Sequence, residues 1–208
     1  MAVVQTQVEE LAAVAAHGDT LRVLVVDDHP AIRSGVRQLL DQQPDMAVVE
    51  AVASAEEALA IAERQPLDLA VVDYQLGGRS GLWLSRKLKR LMPAPRVVVY
   101  SAYCDGPLAA ACVVAEADAL VSKSTVGSKL CDALRVVARG GTRLPFVPPA
   151  LGNAMRRRLD TEDQAIFGLL LAGIDRVEAA ETLRIDPADV DLRMWGMLRT
   201  LEGLRAEP

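Results

Sequence analysis

The chain has 208 residues, a formal net charge of −5 and a pI near 5.1. This length allows one core-forming unit plus a smaller second one, and an apolar fraction of 51% argues against a mainly disordered chain. The acidic balance argues against strong general affinity for nucleic acid, and no apolar run approaches the roughly 20 residues that span a bilayer. We therefore expect a soluble, cytoplasmic protein with no membrane association.

The chain begins with residues 1–20, where apolar residues near helical spacing predict an N-terminal helical extension. From Leu21 onward, short apolar runs alternate with amphipathic helical patterns. Five of these runs predict strands, at Leu21–Val26, Met46–Val52, Leu69–Val72, Arg96–Tyr100 and Ala119–Val121. Strands that alternate with helices are typical of an α/β domain with a doubly wound parallel sheet, which we assign to residues 21–139.

A second, helical part of the chain follows a change in composition. Residues 140–153 combine glycine with three prolines and show no periodicity, so we predict a linker over residues 140–158. Residues 159–208 carry three helical patterns, Glu162–Ala172, Arg176–Leu183 and Pro187–Leu201. They predict a small all-α C-terminal domain.

Polar residues stand directly after three of the predicted strands. They are Asp27 with Asp28, Asp73, and Lys123. Because the carboxyl ends of parallel strands meet at one edge of a sheet, they predict an acidic pocket with one lysine. Adjacent carboxylates suit a hard cation such as Mg²⁺, and Asp73 is either a further ligand or a nucleophile that forms an acyl phosphate, with Lys123 on a phosphoryl oxygen. The alternative is that each acid caps the following helix, as Asp28 would cap a helix at Pro30.

In order and spacing, these residues resemble the receiver domain of two-component response regulators over residues 21–139. The resemblance implies a flavodoxin-like fold in which Asp27 and Asp28 bind Mg²⁺. It implies that a sensor histidine kinase phosphorylates Asp73, which also binds the metal, and that Gln75 offers its backbone carbonyl to the same ion.

The same resemblance assigns a switch hydroxyl to Ser101, which would hydrogen-bond the phosphoryl group, and the phosphoryl-binding lysine to Lys123. Two positions depart from the family pattern. Gly77 stands where proline is usual, and Leu120 replaces the usual switch tyrosine or phenylalanine. The departures leave the phosphorylation chemistry intact but weaken the expected coupling to the protein surface.

The C-terminal segment from Leu159 to Leu201 is similar to helix-turn-helix domains of the LuxR or NarL type, in a divergent form. The resemblance makes the helix from Pro187 the recognition helix and predicts DNA contacts by three arginines, Arg176, Arg193 and Arg199. Residues 151–208 hold 8 Arg and no Lys against 11 Asp plus Glu, a net charge of 8 − 11 = −3. Since phosphate neutralisation dominates affinity for DNA, this charge is an objection to DNA binding.

Together these features predict a non-enzymatic response regulator that is phosphorylated on Asp73 with Mg²⁺, dimerises and controls transcription by binding DNA. The alternative is a signalling adaptor whose degenerate helix-turn-helix binds protein through Leu192 and Trp195, unless Trp195 packs into the core of its own domain. A phosphatase that uses an aspartate nucleophile is a weaker alternative. It requires an acid two residues after Asp73, where this chain has Gln75.

Overall fold

A computed structural model describes residues 20–125 and 127–206, without the side chains of residues 204–206. Most of the predicted N-terminal extension, residues 1–19, lies outside this range. Five strands occur in the described part of the chain: β1 (Leu21–Val26), β2 (Met46–Val52), β3 (Leu69–Asp73), β4 (Arg96–Ser101) and β5 (Ala119–Ser122). Each lies within one residue of its predicted limits.

Nine helices surround or follow the sheet in the same described ranges. In the first part they are α1 (Pro30–Asp41), α2 (Ala55–Ala62), α3 (Gly81–Leu88), α4 (Gly106–Val114) and α5 (Gly127–Ala138). In the second part they are α6 (Pro149–Arg156), α7 (Thr161–Leu171), α8 (Arg176–Leu183) and α9 (Pro187–Ala206). Among the described residues, no helix combines the length and apolar character that crossing a membrane requires.

All strand pairs are parallel, and the order across the sheet is β2-β1-β3-β4-β5. This order confirms the predicted doubly wound α/β fold with an additional C-terminal helical region. The winding direction reverses between β1 and β3, and ligands of such sheets bind outside the strand ends at that point. The fold therefore directs attention to the residues that follow Val26 and Val72.

Alternate residues of the strands point to opposite faces of the sheet, and each face is covered by helices. Val23 and Val25 of β1 pack in a cluster with α1 and α5, whereas Leu24 and Val26 pack with α2 and α3. These residues are at most 1% exposed. The two apolar layers hold the strand ends in fixed positions.

Helix α4 belongs to a third core that the first part of the chain shares with the C-terminal helices. Its residues from Leu108 to Cys112 are fully buried, although it lies on the outside of the sheet. A helix that is apolar on every side must be covered on every side, and here Phe167 of α7 and Met194 and Leu198 of α9 cover it. The C-terminal helices are thus packed onto the sheet domain.

The segment predicted as a linker without periodicity contains α6, which corrects that part of the prediction. Pro149 opens this helix, and Gly152 and Met155 are buried. Before it, residue Arg143 pairs with the edge of β5, donating its N–H to the Asp118 carbonyl at 2.8 Å. The third predicted tail helix also continues beyond Leu201, as far as Ala206. The limits of the domains themselves stay a prediction.

Candidate functional site

Three of the predicted site residues meet at the carboxyl edge of the sheet. Asp27 follows β1 and Asp73 ends the neighbouring β3, and these residues are 2% and 4% exposed. Lys123 follows β5 and places its Nζ atom 2.7 Å from Asp27 Oδ2 and 2.7 Å from Asp73 Oδ2. One ammonium group therefore bridges two buried carboxylates, with Asp28 at the rim of the same pocket.

Burial dominates the electrostatics of this pocket. Burial raises the pKa of Asp73, and the negative charge of Asp27 adds to the rise, while the hydrogen bond and charge of Lys123 oppose it. Burial alone would lower the pKa of Lys123, but the two carboxylates outweigh it and hold that pKa above its usual value. A single lysine thus leaves the carboxylates of the pocket in excess, so the pocket favours a further cation.

His29 also lies at this pocket, although the sequence analysis did not select it. Its Nδ1 atom is 2.7 Å from Asp28 Oδ1, 3.4 Å from Asp27 Oδ1 and 3.9 Å from Asp73 Oδ2. The signal that would have found it is its position directly after the acid pair. His29 rather than Asp28 occupies the N-cap of α1, without a side-chain cap, so the alternative role of Asp28 as a capping residue is wrong.

The residues present fit a divalent metal ion. Asp27, Asp28, His29 and Asp73 each offer a ligand atom, and these atoms all lie within 4.8 Å of one another. Asp28 Oδ1 is buried and lies 2.7 Å from His29 Nδ1, on the side of the pocket that the other two acids line. Gln75 lies beside the pocket, where its backbone N–H donates to Asp73 Oδ1 at 3.3 Å.

Ser101 ends β4, next to the pocket. It is 1% exposed, and its Oγ atom accepts a hydrogen bond from the Tyr103 N–H at 3.1 Å. Its carbonyl accepts the Lys123 N–H at 2.7 Å, which ties the end of β4 to the lysine. Leu120, which stands where an aromatic switch residue is usual, is 6% exposed and packs in the core shared with the C-terminal helices.

Gly81 is a second residue that the sequence analysis missed. A Cβ atom at this position would lie 2.0 Å from the Asp73 carbonyl oxygen, so only glycine allows α3 to start directly behind the acidic pocket. Its N–H donates to the Tyr74 carbonyl at 2.9 Å, and the preceding Ser80 caps α3 by accepting the Trp83 N–H at 3.1 Å. No sequence signal distinguishes Gly81 from the other loop glycines.

Two of the three arginines predicted to contact DNA have carboxylate partners within the protein. Arg176 Nε lies 3.3 Å from Glu116 Oε1, which belongs to the loop after α4. Arg193 pairs with Glu162 and, at 3.2 Å, with Asp163 of α7. Arg199 is exposed on α9. Two of the three cations therefore already neutralise carboxylates.

A buried charge cluster joins α9 to the sheet domain. Arg86 of α3 is fully buried; its guanidinium bonds to the Asp191 carboxylate and lies 5.0 Å from the centre of the Trp195 ring. Arg90 donates from Nε to the same carboxylate at 2.9 Å and lies 2.7 Å from Glu116. Burial lowers the pKa of Arg86 to about 10, against the opposing charge of Glu116, so Arg86 stays charged at neutral pH.

This contact alters the predicted exposure of the recognition helix. Trp195, which the adaptor alternative predicts to be exposed, lies against α3 together with Asp191, and Lys87 also sits 5.4 Å from the Trp195 ring. Trp195 therefore packs between domains, neither exposed nor confined to its own domain. Leu192 remains 71% exposed, as predicted.

Comparison with known proteins places this geometry in context. The chain is 27% identical over 190 residues to the response regulator protein VraR of Staphylococcus aureus, with 88% of this chain and 91% of VraR covered. A LuxR-family two-component response regulator from Aurantimonas sp. SI85-9A1 matches with 28% identity and a TM-score of 0.58, covering 67% of this chain and 99% of that one. RcsB from Salmonella enterica serovar Typhimurium, solved with promoter DNA and a phosphomimetic, has the same fold at 20% identity, a TM-score of 0.58, and coverage of 88% and 92%.

Residues 23–135, more than half of the chain, match the model of the response regulator receiver domain. The matched range contains most of β1, all of β2 to β5, the acid pair, Asp73, Ser101 and Lys123. It ends before the C-terminal helices, which the whole-chain relatives cover. The chain belongs to the response regulators and carries their receiver domain.

Proposed function

We propose that a sensor histidine kinase phosphorylates this response regulator on Asp73 and that the modification controls transcription through the C-terminal helices. The observation that carries the proposal is the pocket in which Lys123 Nζ lies 2.7 Å from both Asp27 and Asp73. Asp73 is the acid on the central strand, flanked on one side by Asp27 and on the other by the end of β4. It is therefore the carboxylate that an incoming phosphoryl group meets.

The chemistry follows from these residues. The Asp73 carboxylate attacks the phosphorus of a phosphohistidine; the new O–P bond forms as the P–N bond breaks, and the imidazole leaves with the electron pair and takes up a proton. Lys123 then pairs with a phosphoryl oxygen instead of Asp73, and Ser101 donates its hydroxyl to another. Asp27, Asp28, Asp73 and the Gln75 carbonyl would hold Mg²⁺, which when bound offsets the negative charge of the pocket and phosphoryl group.

The proposed control of transcription depends on the position of α9, which packs against α3. RcsB, a structural relative, is bound to promoter DNA in its structure. For α9 to contact DNA in the same way, Asp191 and Trp195 would have to leave α3, and Arg176 and Arg193 would have to exchange carboxylates for phosphates, with Arg199 adding a third contact. In this proposal, phosphorylation favours the undocked form, and a homodimer doubles the number of cations that face the duplex.

The first test is labelling by a small phosphodonor. Asp73→Asn should abolish labelling of the full chain by acetyl phosphate in the presence of Mg²⁺, because the amide is not a nucleophile for phosphorus. Asp68→Asn is the matched control, since Asp68 pairs with Arg22 outside the pocket and is not expected to affect labelling. Undiminished labelling of Asp73→Asn would show that another residue is the acceptor.

The second test measures binding of the full chain to random-sequence duplex DNA with Mg²⁺, with and without beryllium fluoride as a phosphoryl mimic. We expect binding that the mimic enhances and that salt weakens, because cations that contact phosphates release counterions. Asp73→Asn should lose the effect of the mimic. Equal binding with and without the mimic would contradict control by phosphorylation.

A second candidate function is an adaptor that binds a protein partner through its helix-turn-helix region. The observations that favour it are the 71% exposure of Leu192 and the net charge of −3 over residues 151–208. Normal phosphorylation without DNA binding in either state would favour this adaptor. Both candidates share a cytoplasmic location, a kinase partner and no catalytic turnover of their own.

A further inference from the structure

We propose that a cationic strip along α3 binds the backbone phosphates of duplex DNA and supplies positive charge that the C-terminal helices lack. The strip consists of Arg79, Trp83 and Lys87, and it continues to Trp195 of α9. The inference rests on the proposed function to the extent that the protein must bind DNA. It goes further by placing DNA contacts on the receiver domain, outside the helix-turn-helix region.

The first argument is the distribution of charge along the chain. Residues 79–90 hold five cations and no Asp or Glu, whereas the whole chain has a formal net charge of −5. The remaining residues therefore have a net charge of −5 − 5 = −10. Because affinity for nucleic acid depends on local cations that neutralise phosphates, this segment is the part of an acidic chain that best suits DNA.

The second argument is that two of these five cations have no carboxylate partner. The other three, Arg86, Lys89 and Arg90, form ion pairs with acids of α9 and of the loop between α4 and β5. Among the side chains that the structure describes, Arg79 and Lys87 pair with no carboxylate. Arg79 is exposed and Lys87 is half-buried, so both charges are accessible to an external anion.

The third argument is the aromatic ring that holds both cations. Arg79 Cζ lies 5.3 Å and Lys87 Nζ lies 5.7 Å from the centre of the Trp83 ring. Lys87 Nζ is also 5.4 Å from the centre of the Trp195 ring. An aromatic ring attracts a cation without neutralising its charge, as a carboxylate would. Cations that are already held in place lose less conformational entropy when they bind a phosphate.

Stabilisation of α3 does not account for Arg79. Lys87 lies in the last turn of this helix, where the helix dipole favours a cation. Arg79 precedes the N-cap residue Ser80, at the positive end of the helix, where a cation is unfavourable. An arginine at this end, beside Trp83 and without an acid partner, is therefore suited to an anion from outside the protein.

The position of the strip also predicts when it binds. Arg79 and Lys87 are accessible while α9 is docked, so we expect the strip to contact DNA with and without phosphorylation of Asp73. Release of α9 would remove Asp191 from Arg86 and Arg90 and so add their charges to the strip. Phosphorylation would then strengthen a contact that already exists.

The test is binding of a fluorescently labelled random-sequence duplex to the full chain in Mg²⁺ at several salt concentrations, with and without beryllium fluoride. Arg79→Gln/Lys87→Gln should lower the affinity at least about tenfold in both states. The slope of log affinity against log salt should become shallower by about two. The matched control is Arg64→Gln/Lys129→Gln, which removes two exposed cations outside the strip and should change the affinity less than about twofold.

The direction of the effect identifies its cause. Loss of the contact between Lys87 and Trp195 by itself would loosen the docking of α9, and under the proposed function looser docking favours DNA binding. A lower affinity of the double variant would therefore come from lost phosphate contacts and not from altered docking.

The outcomes separate this inference from the proposed function. Equal affinity and equal salt slope of the double variant and its control would overturn the role of the strip, while DNA binding through the C-terminal helices would stand. Binding to phosphatidylserine vesicles that requires Arg79 and Lys87, with unchanged DNA binding, would assign the strip to a membrane surface and would also overturn it. Absence of DNA binding by the unsubstituted chain in either state would refute the proposed control of transcription itself.

Discussion

Two buried charged regions of this molecule contrast in how their carboxylates are compensated. In the acidic pocket, Asp27 and Asp73 share one cation, Lys123. In the charge cluster under α9, Asp191 pairs with two arginines, Arg86 and Arg90. The pocket therefore has fewer cations than carboxylates, whereas in the cluster the two arginines match two carboxylates, Asp191 and Glu116.

The pKa values of the two aspartates follow this difference. Burial raises the pKa of Asp73 above its ordinary value despite Lys123. Burial acts in the same direction on Asp191, but the hydrogen bond from Arg90 and the charge of Arg86 outweigh it and hold that pKa low. An undercompensated site is suited to bind a cation or a phosphoryl group in exchange, whereas a fully compensated one is suited to hold two parts of a protein together.

The largest expected effect comes from opening the charge cluster. Arg86→Met should lower the free energy of unfolding by about 3–5 kcal/mol, because it leaves Asp191 and Glu116 partly buried with fewer partners. Urea unfolding of the full chain measures this loss. The control is Arg37→Met, which removes an exposed pair with Asp41 at 3.6 Å and should cost about 0.5 kcal/mol or less. Equal effects of the two substitutions would contradict a stabilising role for the buried cluster.

The next effect concerns the backbone behind the pocket. Gly81→Ala should cost about 1–3 kcal/mol and slow labelling by acetyl phosphate, since its Cβ would meet the Asp73 carbonyl at 2.0 Å and displace it. Gly78→Ala is the matched control, because a Cβ at that position meets nothing within 4 Å. If both variants were labelled at the wild-type rate, the close approach at Gly81 would have no bearing on the site.

A smaller effect distinguishes the two regions by their response to Mg²⁺. A ligand at ten times its Kd stabilises the folded state by about 1.4 kcal/mol, so Mg²⁺ at that concentration should raise the melting temperature. Asp27→Asn should abolish this gain because it removes a carboxylate from the pocket. Asp191→Asn should retain it in full, although it lowers the starting stability. A gain that depended on Asp191 would place the cation elsewhere.

The smallest effect concerns Glu202 of α9, close to Ser80. Burial raises the pKa of Glu202 above its ordinary value of 4.5, against a hydrogen bond with Ser80, so ionisation is less favourable in the folded state. The stability that the protonated carboxyl provides is present below about pH 4.5 and is lost as the pH rises through the raised folded value. Glu202→Gln should therefore stabilise the protein by up to about 1 kcal/mol at pH 7 and hardly at pH 4. Thermal melts at pH 7 and pH 4 measure this gain in stability, and Glu181→Gln, at an exposed position, is the control. An equal gain from Glu202→Gln at the two pH values would contradict the prediction.

Much of the receiver pocket was predictable because its residues are local to strand ends. An apolar run followed by Asp27, Asp73 or Lys123 predicts a strand and identifies the polar side chain at its carboxyl end. Parallel pairing of the strands then brings these ends together. Gly81 and His29 were missed for different reasons. Gly81 matters through a contact with the Asp73 carbonyl that no local pattern encodes, and His29 was adjacent to the acids but not needed by the resemblance.

The sequence by itself determined the parallel sheet, the polar residues that follow its strands and the number of helices after Leu159. Periodicity and the residues at strand ends can be recognised from neighbouring positions in the chain. Only the tertiary structure decided that α6 forms within the expected linker, that α4 is enclosed, and that Asp191 and Trp195 face Arg86. These outcomes depend on contacts between segments that are far apart in the chain, and the Arg86–Asp191 pair joins residues separated by 105 positions. The physical reason is that burial against a distant surface outweighs the local preference of a helix face.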